Sequence, residues 1–288
     1  LSEALAQYPG HFTPLYVNMI RAGEAGGELF PILDRLATYL EQSLELRASI
    51  QTALIYPALL CVVALLSLGA IMVFVIPQFI PLFEDAGETL PLLTRIVFGS
   101  AEIFSTIWPF LLVALAVVAA VANMQLAKPP VRLRWDRSCL GAPLLGEMIR
   151  DLETARFTRT LGTLLGSGVP ILTGMRLAGD VVKNRALAIV IEEVATSLEN
   201  GLSLTGPIRK SGLFPPIALQ LMEVGEDSGQ LEQMLLKAAE IYDANVRTGI
   251  KRGLALLEPI LILGLGGLIA LIIMSVLVAI LGLNELVV

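Results

Sequence analysis

Three long stretches of this chain contain no Asp, Glu, Lys, Arg or His residue: 51–83, 103–127 and 259–284. Each is longer than the roughly 20 apolar residues that an α-helix needs to cross the hydrocarbon core of a bilayer. Buried core helices are a poor alternative, because they keep a polar face and are usually shorter. The chain is also 55% hydrophobic and only 16% charged. We therefore predict a membrane protein with transmembrane helices at 55–77, 103–126 and 255–282.

The positive charges predict the orientation of these helices. Nineteen of the 20 Lys and Arg residues lie before the first span or between the second and the third, whereas loop 78–102 holds only Arg95 among four acids. Positively charged segments stay on the cytoplasmic side of a membrane. Segments 1–54 and 127–254 are therefore predicted to be cytoplasmic. Loop 78–102 and tail 283–288 are predicted to lie on the periplasmic side.

The chain contains an internal repeat at an offset of 202 positions. The segment that starts at Phe12 matches the segment that starts at Phe214, and the register continues without a gap to the pair Pro57 and Pro259. Each copy runs from a cytoplasmic segment into a membrane span. The second copy starts near Asp151, so the same offset places the start of the first copy roughly 50 residues before Leu1. We expect an N-terminal truncation that removes the counterparts of 151–200.

The cytoplasmic segments have helical periodicity. Apolar residues recur every three or four positions, for example at Phe157, Leu161 and Leu164. Breaks marked by glycine, proline or asparagine divide the second copy into about six helices. The breaks lie at 166–170, 183–184, 200–201, 211–216 and 225–229. The predicted fold class is therefore all-α, with two repeated cytoplasmic helical bundles, the first truncated, and three transmembrane helices.

A Gly-Glu-x-x-Gly motif occurs once in each copy. Its members are Gly23, Glu24, Gly27, Gly225, Glu226 and Gly229. Glycine can adopt the left-handed conformation that ends a helix, and Asp227 with Gln230 resembles a capping pair for the next helix. The motif is interpreted first as a tight interhelical turn, and second as a turn that also presents its acid to a partner protein. Metal binding is the weakest reading, because adjacent acids alone are a poor ligand set.

Pro57 and Pro259 occupy equivalent repeat positions where a cytoplasmic helix runs into its span. Proline removes one helical hydrogen bond and crowds the preceding turn. A matched kink or a helix break is predicted at both prolines.

Other classes of function lack their residue signatures. The net charge of −6 provides no basic field for nucleic acid. Cys61, Cys139 and the single histidine, His11, do not form a disulfide scaffold or a zinc motif. There is no phosphate-binding loop and no nucleophile elbow, so no catalytic residue, metal or cofactor is predicted. A transporter stays a weaker alternative, since the spans contain few polar groups and many small residues.

The chain resembles the inner-membrane platform proteins of type II secretion and type IV pilus systems. The resemblance covers nearly the whole chain and rests on the two Gly-Glu motifs and on five further segments: ARFTRTLGTLLGSGVPILTGMRLAGDVVKN from Ala155, the turn Gly201-Leu202-Ser203-Leu204, Leu213-Phe214-Pro215-Pro216, Ile55-Tyr56-Pro57 and Leu257-Glu258-Pro259. Three segments look more like the secretion branch, general secretion pathway protein F, than the pilus branch: the loop Leu90-Pro91-Leu92-Leu93-Thr94-Arg95, the segment Glu153-Thr154-Ala155-Arg156-Phe157 and the tail Ile280-Leu281-Gly282-Leu283-Asn284.

This resemblance implies a multi-pass scaffold of the bacterial inner membrane that forms a dimer or a higher homo-oligomer. It implies that the platform couples a hexameric cytoplasmic secretion ATPase to the extraction and polymerisation of pilin or pseudopilin subunits. Other inner-membrane secretion components would be further partners, and no catalysis is implied.

Overall fold

The structure is a computed structural model that describes residues 1–75, 78, 110, 113–114, 116–118, 120–143 and 145–284, and the side chains of these except residues 72, 276 and 278–284. Every regular element in this part of the chain is a helix, which confirms the all-α class. The helices are α1 (Ser2–Ala6), α2 (Pro14–Gly26), α3 (Leu29–Ala70), α4 (Ala116–Leu126), α5 (Pro129–Gly141), α6 (Leu145–Gly166), α7 (Ile171–Val181), α8 (Arg185–Glu199), α9 (Thr205–Ser211), α10 (Pro216–Ser228) and α11 (Leu231–Asn284). The helix boundaries between the end of α6 and the start of α11 lie at or next to the breaks predicted from the sequence.

The chain divides into two units. The first contains Leu1–Ile50 and Gln125–Ile250, and the second contains Gln51–Met124 and Lys251–Val288. The segments predicted as separate cytoplasmic domains, 1–54 and 127–254, therefore belong largely to one body. Their assignment to the cytoplasmic side stays a prediction.

The main core of the first unit lies among α6 to α11. Phe157 of α6 is completely buried and makes an edge-to-face contact with Phe214, with 5.7 Å between ring centroids. Asn184 caps α8 by accepting hydrogen bonds from the backbone N–H groups of Ala186 and Leu187. The Tyr242 hydroxyl accepts a hydrogen bond from the backbone N–H of Ala218 (3.2 Å) and so binds α11 to the start of α10.

A second apolar cluster joins the first copy of the repeat to the second. Met19 and Ile20 of α2 and Ile32 of α3 are buried together with Leu164 and Val169. The physical reason for this packing is that α2 and α3 present an apolar face, and burying it against α6 and the following turn removes that face from water. The first copy of the repeat therefore packs directly on the second.

The predicted first and third spans lie within very long helices. Leu29–Val75, which comprises α3 and a π-helical turn, and Leu231–Ser275 are both long and apolar enough to cross a membrane. Large apolar side chains on them are exposed, among them Leu65 at 67% and Leu263 at 75%. α4 is a shorter apolar helix. Most of the predicted second span, 103–126, lies outside the described residues, so three spans stay a prediction.

Both membrane-boundary prolines lie inside helices. α3 continues through Pro57, and α11 continues through Pro259. The sequence predicted either a kink or a helix break at these positions, and the prediction of a break is wrong. The helical turns on both sides of each proline are retained. A bend at the two prolines stays a prediction.

Candidate functional site: the two Gly-Glu turns

The two Gly-Glu motifs form corresponding turns in the first unit. The first connects α2 to α3, and the second connects α10 to α11. Gly27 and Gly229 end their helices with a φ of 70°, in the left-handed region that glycine adopts without a steric penalty. The second glycine of each motif therefore has the conformation that the sequence indicated.

The first glycine of each motif has a different role from the one expected. Gly23 and Gly225 are buried inside α2 and α10, and neither has a positive φ. A Cβ atom on Gly225 would lie 2.9 Å from the Leu231 Cα and 3.0 Å from the Met234 Cβ. On Gly23 it would lie 2.9 Å from the Ile32 Cγ1. The absence of a side chain lets consecutive helices approach closely. Glycine is therefore required at these two positions by the lack of space for a Cβ atom, and not by an unusual backbone conformation.

The motif glutamates bind the start of a preceding helix. Glu226 accepts a hydrogen bond from the backbone N–H of Leu204 (2.9 Å), and its Oε2 lies within hydrogen-bond distance of the Ser203 and Thr205 hydroxyls. These residues form the N-terminal end of α9. A carboxylate at this position compensates the unpaired N–H groups and the positive end of the helix dipole.

Glu24 makes the equivalent contact in the first copy. It accepts hydrogen bonds from the backbone N–H of Ser2 (3.2 Å) and from the Ser2 hydroxyl at the start of α1. Ser2 and Leu204 occupy equivalent positions of the repeat, so both copies use the same bond.

Asp227 does not have the capping role that the sequence predicted. It lies inside α10, before the turn, and therefore is not the N-cap of α11. Its side chain is exposed.

Among the described residues, no group of three His, Cys, Asp or Glu side chains is placed to hold a metal ion.

The Glu226 contacts predict a graded response to substitution. Glu226→Gln keeps the shape and one acceptor oxygen, and it is expected to lower the free energy of unfolding by less than about 1 kcal/mol. Glu226→Ala removes both carboxylate oxygens from the start of α9, and a loss of about 1 to 2 kcal/mol is expected. Thermal unfolding of the purified full chain measures both changes.

The exposed neighbour Asp227 provides a matched control. Asp227→Asn removes a charge one residue away and is expected to change stability by no more than about 0.5 kcal/mol. A Glu226→Gln protein that unfolds like the wild type but no longer binds the secretion ATPase that the family resemblance implies would contradict the architectural role and favour direct contact.

Polar bonds connect α6 to both long helices of the first unit. Arg159 of α6 pairs with Asp243 of α11, and both side chains are buried. The hydroxyls of Tyr39 and Thr160, from α3 and α6, lie 3.3 Å apart. Sequence reasoning missed these residues, because neither periodicity nor local motifs indicate which charges meet after folding.

Repeat-equivalent residues also contact one another. In the first unit Glu45 and Arg247 form an ion pair at 3.6 Å, and in the second unit the Tyr56 hydroxyl donates to Glu258 at 3.0 Å. Both pairs are separated by 202 positions. Contact between equivalent positions is the geometry of two parallel helices in the same register. The offset was visible in the sequence, but the pairing was not.

A family model described as type II secretion system (T2SS), protein F, matches residues 1–77 and 157–279 of this chain. The chain belongs to this family. The two matched stretches end at residues 77 and 279, which are equivalent positions of the repeat. The motif glycines and glutamates, the two prolines and the contacts between equivalent residues all lie within the matched stretches.

Individual relatives agree with the protein F family model. Type II secretion system protein F of Pseudomonas aeruginosa is 36% identical over 292 residues, which cover all of this chain and 71% of that protein. The protein of the same name from Xanthomonas campestris is 39% identical over 278 residues, covering 96% of this chain and 69% of the relative. Type IV pilus assembly protein PilC of Myxococcus xanthus is 34% identical over 270 residues, covering 93% and 64%. The resemblance to the secretion and pilus families is confirmed.

Proposed function

We propose that the chain is an inner-membrane assembly platform of a type II secretion system. In this role it couples a hexameric cytoplasmic ATPase to the extraction and polymerisation of pseudopilin subunits. The observation that carries the proposal is the similarity to type II secretion system protein F along the full length of the chain. Among the described residues, two helices are long and apolar enough to cross a membrane, and they support a membrane location. A platform of a type IV pilus is the second candidate, because PilC is similar over 93% of the chain.

The architecture of the first unit supports a mechanical role rather than a catalytic one. α3 and α11 each begin in the packed helices of this unit and continue into the apolar second unit. The buried pair of Arg159 and Asp243 and the close approach at Gly225 hold α11 against α6 and α10. A force applied to these helices is transmitted to the apolar segments, because α11 is continuous. A transporter would instead need ionisable groups along its spans.

The proposed topology predicts opposite accessibility for two positions. Thr89 lies in the loop proposed to be periplasmic, and Glu193 is exposed on α8, proposed to be cytoplasmic. Single cysteines are introduced at these positions after Cys61 and Cys139 are replaced by alanine. An impermeant thiol reagent added to intact cells with a permeabilised outer membrane is expected to label the Thr89 site only, and lysis to expose the Glu193 site.

Labelling of the Glu193 site in intact cells, with the Thr89 site protected, would reverse the topology. Denatured samples of both variants provide the control for intrinsic thiol reactivity.

Crosslinking to the ATPase in secreting cells tests the proposed coupling. A photoreactive residue at Asp227, which is exposed beside the second Gly-Glu turn, is expected to yield an adduct with the secretion ATPase, and the same residue at Thr89 is expected to yield none.

Deletion of the gene is expected to abolish export of a secreted enzyme while surface pili persist. Loss of pili with normal export would favour the pilus platform, and loss of neither would refute both candidates.

A further inference from the structure

A groove of about 770 Å³ lies between α7 and α8 of the first unit. The two helices follow each other in the chain and are joined by the short turn 182–184. Apolar residues from both helices and the turn line part of the groove: Met175, Gly179, Val182, Ala188, Ile191 and Ala195. A groove of this volume is large enough for a small organic molecule. The Gly-Glu turns contribute no residue to it, so it is separate from the site described above.

Three exposed cations line the groove at the turn: Arg132 of α5, Lys183 of the turn and Arg185 of α8. The Arg132 guanidinium donates to the Lys183 carbonyl at 3.4 Å, which holds it beside the turn. None of the three forms an ion pair with an acid in the described ranges of the chain. The backbone N–H groups at the start of α8 already donate to Asp136 and Asn184, so only the side chains are free to bind. Like charges gathered in this way attract an anion.

The rest of the groove carries acids. Asp180 and Glu192 line it farther from the turn and are exposed, and an ion pair between Arg176 and Glu199 joins α7 to α8 at the other end. Carboxylates accept hydrogen bonds from hydroxyl and amino groups, and they repel a second anionic group. The lining therefore fits a ligand with its negative charge at one end and hydrogen-bond donors along the rest. A polyanion or an acidic peptide fits it poorly.

We propose that the groove between α7 and α8 binds a nucleotide. Arg132, Lys183 and Arg185 bind its phosphates, since the planar fork of an arginine matches phosphate oxygens and a lysine adds a point charge. The carboxylates of Asp180 and Glu192 accept hydrogen bonds from the ribose hydroxyls and the amino group of the base. The apolar side chains of the groove contact the base. This inference does not depend on the proposed function.

Isothermal titration calorimetry of the full chain in detergent tests the proposal with ADP as the probe. A single ADP is expected to bind each chain, and adenosine, which has no phosphate, is expected not to bind. Inorganic pyrophosphate has at least as much charge but lacks the ribose and the base, and it is expected to bind about tenfold more weakly than ADP. No binding of ADP at about 1 mM, or pyrophosphate bound as tightly as ADP, would overturn the inference.

Matched double variants separate a local site from general charge. Lys183→Gln with Arg185→Gln is expected to weaken ADP binding by about tenfold or more, because charge-assisted hydrogen bonds to the phosphates are lost. Lys183→Arg with Arg185→Lys keeps both charges and is expected to retain most of the affinity. Arg134→Gln with Arg137→Gln removes two exposed cations of α5 that do not line the groove, and a change of less than about twofold is expected. Equal weakening by the two glutamine pairs would show that binding follows overall charge, and the site would be wrong.

Photolabelling of the wild-type chain keeps the test valid if a variant fails to fold. An azido derivative of ADP is expected to label a peptide from α7 or α8, and an excess of unmodified ADP is expected to prevent the labelling. Mass spectrometry of the digested chain locates the label. Labelling confined to other helices, or labelling that excess ADP does not prevent, would overturn the inference.

Discussion

Asp243→Ala is expected to lower the free energy of unfolding by about 3 to 5 kcal/mol. Asp243 and Arg159 are each only 7% exposed and pair between α11 and α6. The substitution removes the partner of a buried guanidinium group, which then keeps its desolvation cost without the compensating attraction. Thermal unfolding of the full chain in the same detergent, compared with the wild type, measures the loss.

Two controls identify the mechanism of this loss. Arg159→Met combined with Asp243→Leu removes both charges and keeps most of the buried volume, so it is expected to be more stable than Asp243→Ala alone. Glu240→Ala breaks the pair with Lys237, in which both side chains are at least 60% exposed, and is expected to cost less than about 0.5 kcal/mol. A double variant less stable than Asp243→Ala would show that the pair is not an isolated electrostatic unit.

Gly225→Val is expected to cost about 3 kcal/mol, a fall in Tm of roughly 5 to 10 °C. A Cβ at this position would lie 2.9 Å from the Leu231 Cα, which belongs to the backbone of α11 and cannot rotate away. α10 and α11 must therefore move apart, and the Met222 and Leu235 side chains, which are completely buried in this core, lose contacts. A Tm measured by circular dichroism at 222 nm checks the value.

Two other glycines provide matched comparisons. Gly249 lies on α11, and no atom lies within 4 Å of the position that a Cβ would take there, so Gly249→Ala is expected to stabilise the helix by up to about 1 kcal/mol. Gly229→Ala meets no neighbour either, but its φ of 70° is unfavourable for alanine, and a loss of about 1 kcal/mol is expected. If Gly225→Val melted with the wild type, the close-approach explanation would be wrong.

Local residue patterns predicted the helices of this protein and their ends. The break at Gly212 to Pro215 separates α9 from α10, and the glycine at 229 ends α10, because proline and left-handed glycine act on the backbone of their own segment. The role of Gly225 could not be predicted in this way. Its constraint comes from Leu231 and Met234 of the following helix, and the approach of two helices depends on the side chains of both.

The sequence by itself determined the all-helical class, the long apolar segments, the internal repeat and the family, since each depends on residue type and spacing along the chain. Only the tertiary structure decided that Glu226 accepts a hydrogen bond at the start of α9, that Arg159 pairs with Asp243, and that α2 and α3 pack on α6. These contacts join residues far apart in the chain. The burial of apolar faces brings the helices that carry these residues together. A local residue pattern identifies such a face, but it does not identify the surface that covers it.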